Sequence, residues 1–508
     1  MKRFFTLFLA TVMFLSCFTM FGCAESSTET GVLRVCNCED YIDEDLLSEF
    51  TEETGIEVVY STYGTNEKLY NELVINPNSY DLVVPSEYMI EKLAEEGRLE
   101  KLDLTKVPNY TENVSDYIDG RLEELKVKSG EYKGLSLSEF MVGYMWGTMG
   151  WVYNTENVSA EEVSSWGGVF NNPELAKKIT IKDAVRDSYL VGLAMVYGEE
   201  LKNTDDNDVI SEILNRTEQE NIDAVGEKLS SLKNMLYGFE VDSGKNDIVL
   251  GFIDAYVAWS GDAAYAIDVA SGEVEDEDDS FVEGRFLRDL SYSIPEEGSN
   301  IWFDGFVMPK GSENQDEAYE FLNFISRPEN VYRNMNYTGY TGMVAKGEFS
   351  LDVENEDGTV ETITTSIFDE VVLGWFDESE DLLEGEGVTV DLSYFFGNDN
   401  DYTVKVSEEG LGRLIAQYPT EDIVKRCAIM SNFDSKTLKS INDMWEGVKG
   451  ETFPTWLLIL IAVFVVILAT FVILYRNKEK IKWFKLPERK TTYAERKNLK
   501  VIKVEDIK

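Results

Sequence analysis

Apolar and polar positions in the early part of the chain alternate at two periods, which predict strands and helices in turn. Apolar runs at 32–37 and 56–63 predict strands, and the amphipathic segment between them predicts a helix that ends at Gly55. A third run at 80–84 predicts another strand, and the helix that follows it ends at Gly97. Strands that alternate with helices at this spacing predict an α/β fold with a largely parallel sheet.

The middle of the chain predicts further elements. Residues 134–154 predict two strands separated by the glycine-rich stretch 146–150, at which the chain crosses between lobes. The periodicity of 316–331 predicts a single helix, and Asp183 is placed at the start of another. An Asp-Gly pair at 357–358, flanked by alternating residues, predicts a hairpin inside an acidic insertion.

Both ends of the chain carry apolar segments typical of membrane targeting. Residues 1–23 resemble a lipoprotein-type signal peptide with Cys23 as the lipidation site, and the alternative is an uncleaved N-terminal anchor. Residues 455–475 contain no charge and are long enough to cross a bilayer as one transmembrane helix. The tail 476–508 carries twelve Lys and Arg against five Asp and Glu, so we expect it to be cytoplasmic and the preceding region to be extracytoplasmic.

Charge and residue types exclude several classes of function. With the signal segment and the tail set aside, the external region carries a net charge of about −58, against −49 for the whole chain. Such a surface repels nucleic acid and attracts cations. Histidine is absent, so neither a Ser-His-Asp nucleophile nor a His-containing zinc site can form. Cys36 and Cys38 are too few ligands for a metal, and we expect neither metal nor cofactor.

Residues at the predicted strand ends form a repeated chemical pattern. In α/β sheets, ligands bind beyond the carboxyl ends of the strands. These positions repeatedly carry polar or acidic residues, and four of the five pairs include an aromatic residue: Asp40 with Tyr41, Ser86 with Tyr88, Asp183 with Asp187, Trp259 with Asp262, and Trp302 with Asp304. Carboxylates neutralise ammonium groups, while ring faces hold methylene chains and attract cations. The mixture suits an organic cation, although singly Asp183 fits a helix N-cap and the tryptophans fit a core.

A series of short motifs gives the chain a resemblance to one known family. The motifs, in order, are NCEDY (37–41), TGIEVVYSTYGTNEKLY (54–70), YDLVVPSEY (80–88), WGTMGWVYN (146–154), DAVRD (183–187), WSGDA (259–263), IWFDGFVMP (301–309), NFISRPENV (323–331) and TGYTG (338–342). From about 32 to 345 the chain resembles the spermidine/putrescine-binding proteins of polyamine ABC transporters. Order and spacing together make the resemblance specific.

The resemblance implies a fold, a site and partners. The fold is the two-lobed periplasmic-binding-protein fold, type II-like, with a hinge; 31–147 and 304–345 form lobe 1, and 148–303 and 346–450 form lobe 2. The implied ligand-binding residues are Asp40, Tyr41, Ser86, Tyr88, Asp183, Asp187, Trp259, Asp262, Trp302, Asp304 and Tyr340. The implied partners are a polyamine, putrescine or spermidine, and the permease and ATPase subunits of the importer. The chain is then a solute-binding subunit and not an enzyme.

Departures from the family pattern leave the choice of polyamine open. Cys38 stands where the family commonly has Trp, and Glu39 adds a carboxylate where a small residue is usual. Asp262 matches putrescine-preferring members better than spermidine-preferring ones.

Alternative functions are a membrane-anchored receptor or sensor for another small cation or a sugar, and an enzyme that uses two carboxylates. Unpaired buried charge argues against a neutral ligand, and the tail of 33 residues is too short for a signalling domain.

Overall fold

The computed structural model describes residues 31–272, 288–354, 359–374 and 387–450, together with the single positions 463 and 470. Its strands are β1 (Val32–Cys38), β2 (Glu57–Tyr63), β3 (Leu82–Val83), β4 (Met141–Asn154), β5 (Ile179–Lys182), β6 (Leu236–Glu240), β7 (Ala255–Trp259), β8 (Leu290–Ser293), β9 (Ser299–Val307), β10 (Thr341–Gly342), β11 (Glu348–Glu354), β12 (Val360–Ser366), β13 (Val388–Asp391), β14 (Thr403–Val406) and β15 (Cys427–Ala428).

Helices connect most of these strands. They are α1 (Asp45–Thr54), α2 (Asn66–Ile75), α3 (Glu87–Glu95), α4 (Pro108–Thr111), α5 (Asp116–Glu124), α6 (Ala160–Val163), α7 (Val185–Val196), α8 (Gly198–Lys202), α9 (Asn207–Leu214), α10 (Gln219–Leu232), α11 (Gly244–Val249), α12 (Ser260–Ser271), α13 (Gln315–Ile325), α14 (Pro328–Thr338), α15 (Ser393–Phe396), α16 (Glu408–Gln417), α17 (Glu421–Val424) and α18 (Ser435–Lys449). The predicted stop at Gly55 is confirmed, because Gly55 adopts a left-handed conformation and donates its N–H to the carbonyl of Thr51.

One sheet runs through both halves of the molecule, in the order β2-β1-β3-β9-β4-β7-β5-β6. At one end β1 pairs in parallel with β2 and β3, and at the other β5 pairs in parallel with β6 and β7. The central strands β4 and β9 are antiparallel to each other. The predicted α/β architecture is therefore confirmed, with an antiparallel pair joining two parallel parts.

The prediction of two strands over 134–154 is wrong, because β4 is a single strand of 14 residues. Gly147 does not turn the chain. It pairs with Trp302 of β9, and a Cβ at this position would overlap the side chains of Ser260 and Trp302. The glycine serves close side-chain packing within an extended strand, a use that the sequence pattern does not distinguish from a turn.

The apolar core is divided along the length of β4. Trp146 and residues before it pack in a first cluster with β1, β3 and the later part of β9, whereas Met149 and Trp151 pack in a second cluster with β5 and β7. A third cluster around α12 joins Val152 to Tyr256. We call the first cluster lobe 1 and the other two lobe 2. Because β4 contributes side chains to both lobes, it forms a connection between them.

The assignment of 346–450 to lobe 2 is corrected by this packing. Apolar side chains from this segment lie in the lobe 1 cluster: Phe349, Ile367, Phe368, Val371, Val372, Val390, Leu392, Phe395, Phe396, Val404, Val406, Leu414, Tyr418, Val424 and Cys427. The last part, including Ile441 and Trp445 of α18, packs in lobe 2, as does Ala416 of α16. The insertion thus extends lobe 1, and the chain returns to lobe 2 through β15.

Two further element predictions have definite outcomes. The hairpin expected around 357–358 is confirmed by the antiparallel pairing of β11 and β12, although 355–358 lie outside the described residues. The single helix expected over 316–331 is wrong, since it divides into α13 and α14. Pro328 is the first residue of α14, where a proline has no N–H to contribute and cannot continue the helix before it.

The predicted membrane segments lie largely beyond the described part of the chain. Residues 1–23, with Cys23, and 476–508 are outside it, as is 455–475 apart from positions 463 and 470. Within the described ranges no helix combines the length and the apolar character required to cross a bilayer.

Candidate ligand-binding cleft

Asp304 lies on β9 where lobe 1 meets lobe 2. The phenol of Tyr41 donates a hydrogen bond to Asp304 Oδ2 at 2.9 Å, and Ser86 forms a backbone bridge with Asp304. Asp304 Oδ1 is buried and has no hydrogen-bond partner among the residues that the structure describes. Two of the sequence-predicted residues, Tyr41 and Ser86, therefore contact a third, Asp304, whose carboxylate has one oxygen left for a further hydrogen bond.

Two more carboxyl groups are buried near this position. Glu87, the first residue of α3, accepts a hydrogen bond from the N–H of Phe303 at 2.9 Å through Oε2. Its Oε1 has no hydrogen-bond partner in the described ranges. Asp187 lies on α7 and is 7% exposed. Among the described residues, Glu87, Asp187 and Asp304 form no ion pair with a lysine or arginine.

Burial opposes the ionised form of all three groups. It raises the pKa of Asp304 to about 6. The hydroxyls of Ser86 and Tyr41 stabilise the carboxylate and so lower this pKa, but their effect is smaller than that of burial. Burial also raises the pKa of Asp187 to about 6, although Lys182 lowers it, and the pKa of Glu87 to about 8. A cation from outside the protein would return these pKa values toward their usual range.

Aromatic rings form one wall of the cleft. The Tyr340 ring makes edge contacts with Tyr41 at a centroid distance of 5.1 Å and with Trp302 at 5.6 Å. Trp302 is only 7% exposed, and its indole N–H finds no hydrogen-bond acceptor within the described part of the chain. Gly261 lies so close to Tyr340 that a Cβ there would overlap the ring. The glycine of the WSGDA motif thus permits the wall to approach lobe 2.

Asp262 is satisfied by the protein itself. It accepts a hydrogen bond from the phenol of Tyr340 at 3.1 Å and one from Lys182 Nζ at 3.1 Å. The same ammonium lies 4.3 Å from the centre of the Trp259 ring. The predicted pair of Trp259 and Asp262 is therefore brought together, and a lysine of β5 lies between the two.

Ser86 and Tyr88 lie at the start of α3, where the two lobes touch. Asn66 donates to the hydroxyl of Ser86 at 3.0 Å, which orients it. The guanidinium of Arg186, from lobe 2, lies 4.0 Å above the ring of Tyr88 and 3.4 Å from Glu67 Oε1. Tyr88 is consequently covered by an arginine of the opposite lobe.

Two residues that the sequence predicts for the site do not lie with the other residues of the cleft. Asp40 is exposed and has a left-handed backbone, with φ of 51°. Asp183 accepts a hydrogen bond from the indole N–H of Trp445 and pairs with Lys449, both at 3.0 Å, so it anchors α18. The prediction that Asp183 begins a helix is wrong, since α7 begins at Val185 without a side-chain cap.

Four residues of the cleft were missed by the sequence reasoning. Lys182, Arg186 and Glu87 each stand directly beside a residue that was predicted, so adjacency to the motifs was the available signal. Asn300 is 1% exposed, its side-chain amide atoms form no regular hydrogen bond within the described part of the chain, and its amide helps to lower the pKa of Asp187. The sequence feature that could have revealed Asn300 is the alternation of side chains along β9, which places Asn300, Trp302 and Asp304 on the same face of the strand.

The comparison with protein families agrees with this arrangement. The family of bacterial extracellular solute-binding proteins matches residues 45–350. The chain belongs to this family. It is therefore a solute-binding protein and not an enzyme.

Relatives of this solute-binding protein are periplasmic proteins. The spermidine/putrescine-binding periplasmic protein of Escherichia coli is 25% identical over 337 residues, which cover 66% of this chain and 84% of that protein. The putrescine-binding periplasmic protein SpuD of Pseudomonas aeruginosa is 30% identical over 336 residues, which cover 65% of this chain and 82% of the relative.

Solved structures confirm the two-lobed periplasmic-binding-protein fold. The spermidine/putrescine ABC transporter substrate-binding protein PotD of Streptococcus pneumoniae matches with a TM-score of 0.53 and 26% identity, over 82% of this chain and 98% of that one. The Tp0655 lipoprotein of Treponema pallidum matches with the same TM-score at 19% identity, over 82% and 99%, and shows the fold alone.

Proposed function

We propose that this solute-binding protein captures a polyamine, putrescine or spermidine, and delivers it to the permease and ATPase subunits of an ABC importer. The observation that carries the proposal is a set of buried carboxyl groups, at Asp304, Asp187 and Glu87, that lie beside an aromatic wall and form no ion pair with a lysine or arginine of the described residues. Buried carboxylates are costly unless a cation neutralises them. A flexible amine supplies that charge, and its methylene chain contacts the rings.

The similarity to proteins named for spermidine and putrescine binding supports the same ligand class. A sugar receptor, the neutral alternative, is disfavoured because a neutral ligand leaves the buried carboxylates uncompensated.

Anchoring to the membrane is a further part of the proposal. It is supported by the uncharged segment 455–475, the basic tail 476–508 and the lipobox-like sequence at Cys23. An anchored binding protein stays beside its permease, which raises its effective concentration there. In this arrangement the binding region is extracytoplasmic and the tail is cytoplasmic.

Calorimetric titration of the full-length protein in detergent tests the ligand class. Putrescine, cadaverine, spermidine, glucose and maltose are each titrated, and we expect saturable heat with the amines and none with the sugars. Binding of a sugar without any amine, or no binding by the whole panel together with no rise in melting temperature, would contradict the proposal.

A further inference from the structure

Lys182 is a buried cation inside the candidate cleft. It is the last residue of β5 and is 1% exposed. Its Nζ donates hydrogen bonds to Asp262 Oδ2 at 3.1 Å and to the carbonyl of Val241 at 2.8 Å, and it lies 3.6 Å from Glu240 Oε1. Two carboxylates and a carbonyl therefore surround one ammonium group.

Two aromatic rings also lie near the ammonium nitrogen of Lys182. The centre of the Trp259 ring is 4.3 Å from Lys182 Nζ, and the Tyr256 ring is 5.8 Å away. Carboxylate, carbonyl and ring face are the groups that hold an ammonium taken out of water. The lysine thus makes the contacts that a ligand ammonium requires.

This position is continuous with the aromatic wall. Asp262 binds the phenol of Tyr340, and Tyr340 contacts Trp302 at a centroid distance of 5.6 Å. An amine lying along the wall from Asp304 therefore approaches Asp262 at its other end. At that end of the cleft, Asp262 is already paired with the positive charge of Lys182.

We propose that Lys182 is a built-in ammonium that occupies the subsite of Asp262 and Trp259 and shortens the cleft for its ligand. A short diamine is accepted, while the additional ammonium of spermidine meets the charge of Lys182 and finds Asp262 already paired. This inference rests on the proposed amine-binding function and assigns its chain-length specificity to one residue.

The first test changes the lysine without shortening it. For the full-length protein in detergent, the Kd values of putrescine and spermidine are measured by calorimetry for the wild type, Lys182→Met and Lys202→Met. Lys202 of α8 is the matched control, since its ammonium lies 3.6 Å from Oε1 of Glu297, a carboxylate of lobe 2 that is not among the cleft residues. We expect the wild type and Lys202→Met to prefer putrescine, and Lys182→Met to shift the ratio toward spermidine by tenfold or more.

An unchanged ratio in Lys182→Met, with amine binding intact, overturns the inference and leaves the proposed function standing. Failure of the wild type to bind any amine overturns the proposed function instead.

A second measurement remains decisive if Lys182→Met folds poorly or binds no amine. In Lys182→Ala the subsite is emptied, so n-propylammonium should raise the melting temperature of this variant by several degrees more than that of the wild type or Lys202→Ala. Neutral n-propanol at the same concentration is the control and should give no such difference. Equal effects of n-propylammonium on the three proteins show that the position is not an ammonium subsite, and they overturn the inference.

Discussion

Tyr41 and Asp304, separated by 263 positions in the chain, are joined by a hydrogen bond of 2.9 Å from the phenol to Oδ2. The bond fixes the orientation of the carboxylate and leaves Oδ1 buried, with no hydrogen-bond partner in the described residues. One oxygen is therefore held by the protein, and the other is available to a donor from the ligand.

Asp304→Asn removes the charge of this carboxylate and keeps its shape. Truncating one member of a buried charge pair costs roughly 2–5 kcal/mol, so we expect the Kd for putrescine to rise between about thirtyfold and a few thousandfold. Calorimetric titration measures the change. Asp422→Asn, whose carboxylate is 97% exposed, is the matched control and should bind as the wild type does. A change in the Kd of Asp304→Asn below about threefold would show that Asp304 does not bind the ligand.

The same substitution should not destabilise the protein without ligand. Because burial raises the pKa of Asp304 above its unfolded value, the folded state binds more protons, and the free energy of unfolding falls as pH rises from about 4 to about 6. Asparagine carries no charge to be desolvated, so the melting temperature of the variant at pH 7 should equal or exceed that of the wild type. A marked decrease would indicate a structural role for the carboxylate.

Amine affinity should depend on pH near 6. Asp304 and Asp187, both with a pKa raised to about 6 by burial, must lose their protons to pair with an ammonium, whereas amines stay protonated across this range. We expect the Kd for putrescine to increase from pH 7 to pH 5 by roughly tenfold for each titrating group. Asp304→Asn should show a smaller dependence. A Kd that stays constant from pH 5 to pH 8 would contradict the electrostatic account.

Arg186 should stabilise the closed arrangement of the lobes. It lies over Tyr88 and pairs with Glu67 of lobe 1, while its Nη1 donates to the carbonyl of Ser431 at 2.8 Å. Arg186→Gln removes cation–π and ionic contacts worth about 1–2 kcal/mol, so we expect roughly tenfold weaker putrescine binding and a larger radius of gyration in X-ray scattering with ligand.

The control for this effect is Arg216→Gln. Arg216 also lies over a tyrosine, Tyr197 at 4.6 Å, and pairs with Glu200 at 3.2 Å, but these contacts stay within lobe 2. Its substitution should leave the affinity unchanged. Similar losses in both variants would show that Arg186 acts through the stability of lobe 2 and not through closure.

The proposed topology can be tested on intact cells. Residues 476–508 carry a net charge of +7, which predicts that a tag after Lys508 lies on the cytoplasmic side of the proposed span. External protease should remove the binding region and leave this tag protected. Reversing the charge of the basic residues nearest the span, from Arg476 to Lys485, should weaken the protection. A tag that is cleaved in the unaltered protein contradicts the orientation.

The sequence by itself determined the α/β class, the first helix ends and the family, because these depend on local periodicity, glycine stops and the order of short motifs. It also indicated Tyr41, Ser86, Trp302 and Asp304 as one site, since residues at the ends of neighbouring strands share an edge of the sheet.

Only the tertiary structure decided how the charges within that site are paired. Asp183 and Asp187 look alike in the sequence, yet Asp183 binds Trp445 and Lys449 far along the chain, while Asp187 is buried without an ion pair among the described residues. Lys182 appeared to be an ordinary strand end, but packing against β7 and α12 places its ammonium between Trp259 and Asp262. The pairing and burial of these charges depend on contacts between segments that are distant in the chain, and the local pattern of residues does not determine those contacts.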